Sequence, residues 1–138
     1  MADESQCAEH VAEVREESDL TRAVILGGQV ADRVEPCAVR RASVMTVVSE
    51  LARNILKYAG RGRVRARVIR GSRGAGVEVV VEDEGPGIPD VAKAMTDHFS
   101  TGGTLGLGLP GVRRLMDEFD LWSEAGKGTR VTARKWKS

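Results

Sequence analysis

The chain has 138 residues, a length that favours one domain with a single core. Its hydrophobic fraction of 41% and charged fraction of 30% are typical of a globular protein and exclude a disordered chain. No apolar run approaches the roughly 20 residues that a bilayer requires, and the acidic start "MADESQCAEH" does not resemble a signal peptide. A net charge of +1 gives no nucleic-acid footprint. We therefore expect a cytoplasmic protein with no membrane or nucleic-acid partner.

The first half of the chain predicts one strand and two helices. The segment "AEHVAEV" indicates a short edge strand, after residues 1–7, which we expect to be flexible. Ser18 or Asp19 offers the N-cap of a helix whose apolar stripe extends to Val34. Proline and a new apolar stripe then predict a second, longer helix that ends near Tyr58.

The second half changes to the alternating pattern of strands. Val64, Ala66 and Val68 alternate with arginines, and "VEVVVE" follows the turn-like "RGSRGAG", which together predict a β-hairpin. The alternating arginines indicate a solvated strand face or, alternatively, a surface for an acidic partner. The segments "VAKAMTDHF" and "GVRRLMDEF" predict helices, and "LWSEA" and "RVTARKW" predict two final strands. This order of elements predicts an α/β fold whose helices cover one face of the sheet.

The stretch "GGTLGLGLPGV", residues 102–112, contains the spacing G-x-G-x-x-G. A dinucleotide fingerprint must follow a strand and begin a βαβ unit, whereas this motif follows a loop and leaves room for only two strands. A P-loop is excluded because no Gly-Lys-Ser or Gly-Lys-Thr ends the run. The glycines and the helix at Pro110 would suit an anionic ligand, and the alternative is a surface loop.

Two further motifs carry candidate chemistry. In "SELARNILKYAG", Glu50, Asn54 and Lys57 have the spacing of one face of an α-helix, where they offer a base, an oxygen ligand for Mg²⁺ and a cation for phosphate. The alternative is a solvated helix face with Glu50 paired to Arg53. In "VEVVVEDEGPGIPD", Asp83 ends a buried strand and could accept a hydrogen bond from an exocyclic amine, or it could simply begin a turn.

Taken in order, E-x-x-x-N-x-x-K, D-x-G-x-G, G-x-G and G-x-G-T resemble the nucleotide-binding motifs of the gyrase, Hsp90, histidine kinase and MutL ATP-binding superfamily. Within it, "EDEGPGIPD", "FSTGGTLGLGLPGVRRLMDEF" and the ending "KWKS" look most similar to the RsbT-type serine/threonine switch kinases, relatives of anti-sigma factors. The resemblance implies a single ATP-binding domain over residues 1–138. It also implies a Bergerat-type fold, a two-layer α/β sandwich with a mixed, mainly antiparallel sheet and helices on one face.

The resemblance also implies a role for each motif residue. Glu50 is the general base, Asn54 is the Mg²⁺ ligand and Lys57 lies near the phosphates. Asp83 receives the adenine amino group, and Thr129 assists at the adenine edge. The remaining nucleotide-binding residues shape the base pocket or form a lid over the phosphates: Gly85, Gly87, Ser100, Thr101, Gly102, Gly103, Gly106 and Gly108.

The function that this resemblance implies is an ATP- and Mg²⁺-dependent protein serine/threonine kinase. Such a kinase would phosphorylate a STAS-domain antagonist in a partner-switching, stressosome-like pathway, and could activate a PP2C-type phosphatase by binding. Two alternatives stay open at this point: an anti-sigma factor that sequesters a sigma subunit, and a detached histidine-kinase catalytic domain.

Overall fold

The structure is a computed structural model that describes residues 8–88, Met95 and residues 108–137. Its strands form one five-stranded sheet in the order β1-β2-β3-β5-β4. The strands are β1 (His10–Val14), β2 (Gly62–Gly71), β3 (Gly74–Asp83), β4 (Glu118–Glu124) and β5 (Gly128–Trp136). All four pairings between them are antiparallel, so the described part of the sheet contains no parallel pair of the kind that a mixed sheet requires.

The helices lie against one face of this sheet. They are α1 (Ser18–Val34), α2 (Ala38–Asn54), a π-helix (Ile55–Ala59) that continues α2, and α3 (Gly108–Leu115). Helix α1 packs on α2 and contacts β1, β2 and β3, while α2 contacts α3 and the central strands. The predicted two-layer sandwich with helices on one face is therefore confirmed. None of the described helices is both long and apolar enough to cross a membrane.

The core lies between the two layers. Because side chains alternate along a strand, Val77, Val79 and Val81 of β3 all point towards the helices, where each is at most 4% exposed. Helix α2 meets them with a stripe of fully buried valines and Leu51. Burial of each such aliphatic side chain contributes about 1.5–3 kcal/mol, so this face fixes the register of the strands.

The opposite face of the sheet carries charges that neutralise one another. Glu78 of β3 is buried between Arg67 of β2 and Arg134 of β5, with Oε–Nε distances of 2.9 and 2.8 Å. Arg63 and Arg65 of β2 both contact Glu82, at 3.0 and 3.1 Å. The alternating arginines of the hairpin therefore have acidic partners on the neighbouring strands of the same sheet. This favours the interpretation of a solvated strand face over a surface for an acidic partner protein.

Several boundaries differ from the prediction. Helix α1 begins at Ser18 with Glu17 in the N-cap position, and Asp19 instead accepts hydrogen bonds from the backbone of the two residues after β1. Helix α3 ends at Leu115, since Glu118 and Phe119 belong to β4. Residues 1–7, which we expect to be flexible, lie outside the described residues. The helix predicted for "VAKAMTDHF" also lies outside them apart from Met95.

Candidate functional site

A row of polar residues crosses the helix-facing side of the sheet at one end of the core. Gly62 pairs with Asp83, Asp83 with Thr129, and Thr129 with Ser123, so the row spans β2, β3, β5 and β4. The neighbouring row consists of aliphatic residues: Val64, Val81, Val131 and Leu121. Because strand residues two apart share a face, the polar row continues the core surface but replaces its aliphatic groups with a carboxylate and two hydroxyls.

Asp83 is the charged member of this row. Its Oδ1 accepts a hydrogen bond of 2.8 Å from the backbone N–H of Gly85, and the backbone N–H of Thr129 also donates to the carboxylate. Burial raises the pKa of Asp83 above its ordinary value of 3.8, although these two N–H groups act in the opposite direction. Among the described residues no cation forms an ion pair with Asp83, so its remaining lone pairs suit a neutral hydrogen-bond donor.

Ser123 connects the row to the loop that follows β3. Its Oγ accepts a hydrogen bond of 2.7 Å from the N–H of Ile88 and donates one of 3.1 Å to the carbonyl of Gly128. It also lies 3.0 Å from the Oγ1 of Thr129. One hydroxyl thus ties together the D-x-G-x-G loop, the G-x-G-T turn and the row itself.

The π-helix lies directly over the row. A Cβ at Gly62 would lie 3.0 Å from Cγ2 of Ile55, and a Cβ at Gly85 would lie 2.5 Å from Cβ of Ala59. Both ends of the π-helix therefore pack where only glycine fits beneath them. The wide turn closes with a hydrogen bond of 2.8 Å from the N–H of Gly60 to the carbonyl of Ile55, and π-helices of this length frequently occur at functional sites.

Glu50 and Asn54 lie one turn apart at the end of α2, immediately before the π-helix, and both are half-buried. No ion pair joins Glu50 to Arg53 in the part of the chain that the structure describes. The alternative interpretation, a solvated helix face with these two residues paired, is therefore not supported by the contact that it predicts. Lys57 lies within the π-helix, is exposed, and places its Nζ 5.2 Å from the ring centre of Tyr58. Because this wide turn interrupts the α-helix, the α-helical spacing from Glu50 does not by itself give the direction of Lys57, and its position near the phosphates stays a prediction.

The D-x-G-x-G loop packs against the turn between β4 and β5. The N–H of Gly126 donates a hydrogen bond of 2.9 Å to the carbonyl of Pro86. A Cβ at Gly87 would lie 2.5 Å from the carbonyl oxygen of Glu124. Gly85 and Gly87 therefore permit close packing of the loop, and their contact with a base stays a prediction.

The predicted lid falls mostly outside the described residues. This applies to Ser100, Thr101, Gly102, Gly103 and Gly106. Gly108 is described: it is the first residue of α3, with a φ of 59°, and is half-buried.

The side chains at the site fit a metal ion that is coordinated mainly by oxygens of a bound nucleotide and of water. Within the described ranges, no three His, Cys, Asp or Glu side chains cluster as a protein-only metal site would require. Mg²⁺ commonly uses one or two side-chain oxygens together with nucleotide phosphates and water. Asn54 could supply such an oxygen, so the donor set is compatible with Mg²⁺ that arrives with a nucleotide.

Ser123 is the member of the row that sequence reasoning missed. A signal for it exists, because in "LWSEA" Ser123 lies two residues after Leu121 and so shares its inward face. A hydroxyl at an inward strand position needs a hydrogen-bond partner. The serine stands outside all four motifs, and for that reason the motifs alone did not reveal it.

Comparison with known proteins identifies the family. The model for the histidine kinase-, DNA gyrase B-, and HSP90-like ATPases matches residues 40–137. The chain belongs to this ATPase family. The match covers Glu50, Asn54, Lys57, Asp83 and both glycine motifs, so the predicted superfamily and its fold are confirmed.

Individual relatives refine this result. The chain is 49% identical over 120 residues to the serine/threonine-protein kinase RsbT of Bacillus subtilis, with 87% of this chain and 90% of the relative covered. It is 33% identical over 112 residues to the anti-sigma F factor of Caldanaerobacter subterraneus, with 77% of each covered. Among solved structures, the histidine kinase domain of the E. coli osmosensor EnvZ has 20% identity and a TM-score of 0.48, with 92% of this chain and 88% of that chain covered. The kinase relative confirms the predicted resemblance and the predicted enzyme class, and the family model supports the use of ATP.

Proposed function

We propose that this protein is a Mg²⁺-dependent protein serine/threonine kinase that uses ATP to phosphorylate a STAS-domain partner. The observation that carries the proposal is the position of the π-helix. Its first residue, Ile55, packs on Gly62, which belongs to the row with Asp83 and Thr129. Ile55 directly follows the end of α2, which carries Glu50 and Asn54. Candidate groups for the phosphates and for the adenine base therefore lie at the same end of the core, although they are far apart in the sequence.

The row supplies the recognition of the base in this proposal. Asp83 keeps acceptor capacity after its two backbone hydrogen bonds, and its raised pKa reflects the cost of a half-buried carboxylate. A hydrogen bond from the amino group of adenine would offset that cost, since charge-assisted hydrogen bonds are stronger than neutral ones.

The end of α2 supplies the catalytic groups. Bound MgATP would provide the phosphoryl group to be transferred, and transfer of this kind depends mainly on positioning and charge neutralisation. Asn54 would hold the metal ion through its side-chain oxygen, and Lys57 would neutralise phosphate charge. Glu50 accepts the proton of the attacking serine or threonine hydroxyl.

The partner class comes from the resemblance of the motifs to RsbT-type switch kinases, and no contact among the described residues identifies it. We infer a partner-switching role in the cytoplasm, with a STAS-domain antagonist as phosphoacceptor and a PP2C-type phosphatase as a second binding partner. Both sets of relatives, the kinase and the anti-sigma factors, support a function that involves other proteins.

Transfer of label from ATP that carries radioactive phosphorus at the γ position tests the proposal. The protein is incubated with a candidate STAS-domain protein, and Glu50→Gln is compared with Glu13→Gln, an exposed glutamate on β1. Loss of the general base in Glu50→Gln should reduce the rate of phosphate transfer roughly 100- to 10,000-fold, while Glu13→Gln should keep the wild-type rate. Undiminished transfer by Glu50→Gln would remove Glu50 from its proposed role, and no binding of ATP or ADP by the wild type would refute the ATP site.

A second candidate is an anti-sigma factor in which phosphorylation is secondary. The relatives named anti-sigma F factor favour it, at 31–33% identity over most of the chain. Co-purification separates the two candidates: stable capture of a sigma subunit supports the second, and capture of a STAS-domain protein or a phosphatase supports the first. Acid stability of the phosphorylated product excludes the third alternative, transfer to histidine, because phosphohistidine is labile in acid whereas phosphoserine survives.

A further inference from the structure

Ser123 makes three hydrogen-bond contacts with only one proton. The N–H of Ile88 can only donate, so Ser123 Oγ accepts at that contact, which is 2.7 Å long. The carbonyl of Gly128 can only accept, so Ser123 gives its proton to that oxygen, 3.1 Å away. The third contact is with Oγ1 of Thr129 at 3.0 Å. Because Ser123 has no second proton, the Thr129 hydroxyl must be the donor in this contact.

This arrangement determines what Thr129 can offer to a ligand. Its one proton points at Ser123, and only its lone pairs remain. Asp83, the neighbour of Thr129 in the row, accepts the backbone N–H of Gly85 and as a carboxylate also offers lone pairs only. The two side chains therefore form a surface of acceptors, which favours an N–H group and disfavours a carbonyl oxygen.

We propose that Ser123 is a positioning residue that fixes the direction of the Thr129 hydroxyl, so that the site selects a purine with an amino group over one with a carbonyl oxygen at the same ring position. The proposal rests on the proposed function, because it assumes that a nucleotide base lies at this row. Ser123 itself acts through Thr129 and the loop.

The experiment measures the dissociation constants of ATP and of inosine triphosphate, which carries a carbonyl oxygen in place of the amino group. Wild type should prefer ATP. In Ser123→Ala the Thr129 hydroxyl is free to rotate and to donate to the carbonyl oxygen. The preference should therefore fall by about 3- to 10-fold, since one hydrogen bond of ordinary strength is redirected. A role limited to holding the loop in place would weaken both nucleotides equally and leave their ratio unchanged.

Two further variants sharpen the measurement. Ser123→Thr keeps the hydroxyl and should keep the preference. Thr132→Val removes a hydroxyl from the opposite face of β5 and serves as the control that should leave the ratio unchanged. If Ser123→Ala does not fold, Thr129→Val decides, because it deletes the acceptor but keeps the backbone N–H that Asp83 uses.

The possible failures are distinct. A wild-type protein that binds neither nucleotide refutes the proposed function. If the wild type prefers ATP and the Ser123→Ala or Thr129→Val variant keeps the same preference, the role of Ser123 is refuted. The proposed function is then unaffected.

Discussion

The turn between β4 and β5 contains two glycines that should respond very differently to the same substitution. Gly126 has a φ of +79°, and a Cβ there would have no heavy atom within 4 Å. Gly128 has a φ of +119°, and a Cβ there would lie 2.1 Å from the carbonyl oxygen of Asp83. Both positions disfavour alanine conformationally, but only Gly128 is also blocked by the backbone of the neighbouring strand.

These contacts give a magnitude for each variant. Gly126→Ala should cost only the conformational strain of a left-handed residue, about 1–2 kcal/mol of unfolding free energy. Gly128→Ala carries a similar strain and must also separate β5 from β3 at Asp83. Loss of one or two ladder hydrogen bonds adds about 1 kcal/mol each. We expect a total loss of about 2–4 kcal/mol of unfolding free energy for Gly128→Ala, and the part beyond conformational strain arises from the lost contact between β5 and Asp83.

Urea unfolding measures the difference, with Trp122 of β4 near the turn and Trp136 at the far end of β5 as fluorescence probes. With a slope of about 2 kcal/mol per molar urea, the midpoint should fall by about 0.5–1 M for Gly126→Ala and by about 1–2 M for Gly128→Ala. Equal midpoints for the two variants would show that β5 does not approach Asp83 as closely as described.

Two other predictions concern carboxylates. Glu78→Gln should lower the unfolding free energy by about 2 kcal/mol, because it leaves Arg67 and Arg134 without their shared anion, and chemical denaturation measures this loss. Burial raises the pKa of Glu78, but the hydrogen bonds from both arginines outweigh it and hold the pKa below its ordinary value of 4.5. The stabilisation should therefore be complete above about pH 4.5 and disappear as the pH falls through the lowered pKa, and in Glu78→Gln this part of the acid unfolding profile should be absent. Asp83→Asn should weaken ATP binding by at least about tenfold in calorimetric titration, through loss of a charge-assisted hydrogen bond. Because the pKa of Asp83 is raised, wild-type affinity should also fall towards acidic pH, and a wild type and variant with the same pH profile would contradict this role.

Local periodicity was sufficient to predict most of the fold. The alternation of Val64, Ala66 and Val68 with arginines identified β2, because this strand buries one face. The segment "VEVVVE" identified β3, which has a continuous run of buried residues. The boundary between α3 and β4 was wrong for a related reason. Met116 is buried and Phe119 packs against the core, so the apolar spacing of "GVRRLMDEF" fits a helix as well as a turn followed by a strand.

The site was predictable in its composition but not in its geometry. The motifs identified Asp83, Glu50 and Asn54 from residue types and spacing. They could not show that α2 widens into a π-helix, because the wide turn is stabilised by tertiary packing of Ile55 on Gly62 and of Ala59 on the loop glycine. Because Lys57 lies within this wide turn, the α-helical spacing from Glu50 does not by itself give its direction. Spacing along one helix could not reveal a change that depends on a strand elsewhere in the sequence.

A turn that begins at Asp83 explains only part of the environment of its carboxylate. Its Oδ1 accepts the N–H of Gly85, two residues later, which is the local contact that a turn-initiating aspartate makes. An exposed aspartate could form that turn without desolvation. Here the carboxylate instead points to the helix-facing side, accepts a second N–H from Thr129, and has a pKa that burial raises. The turn therefore explains one hydrogen bond but not the burial, whereas a donor that binds over the row explains why an uncompensated carboxylate is kept there.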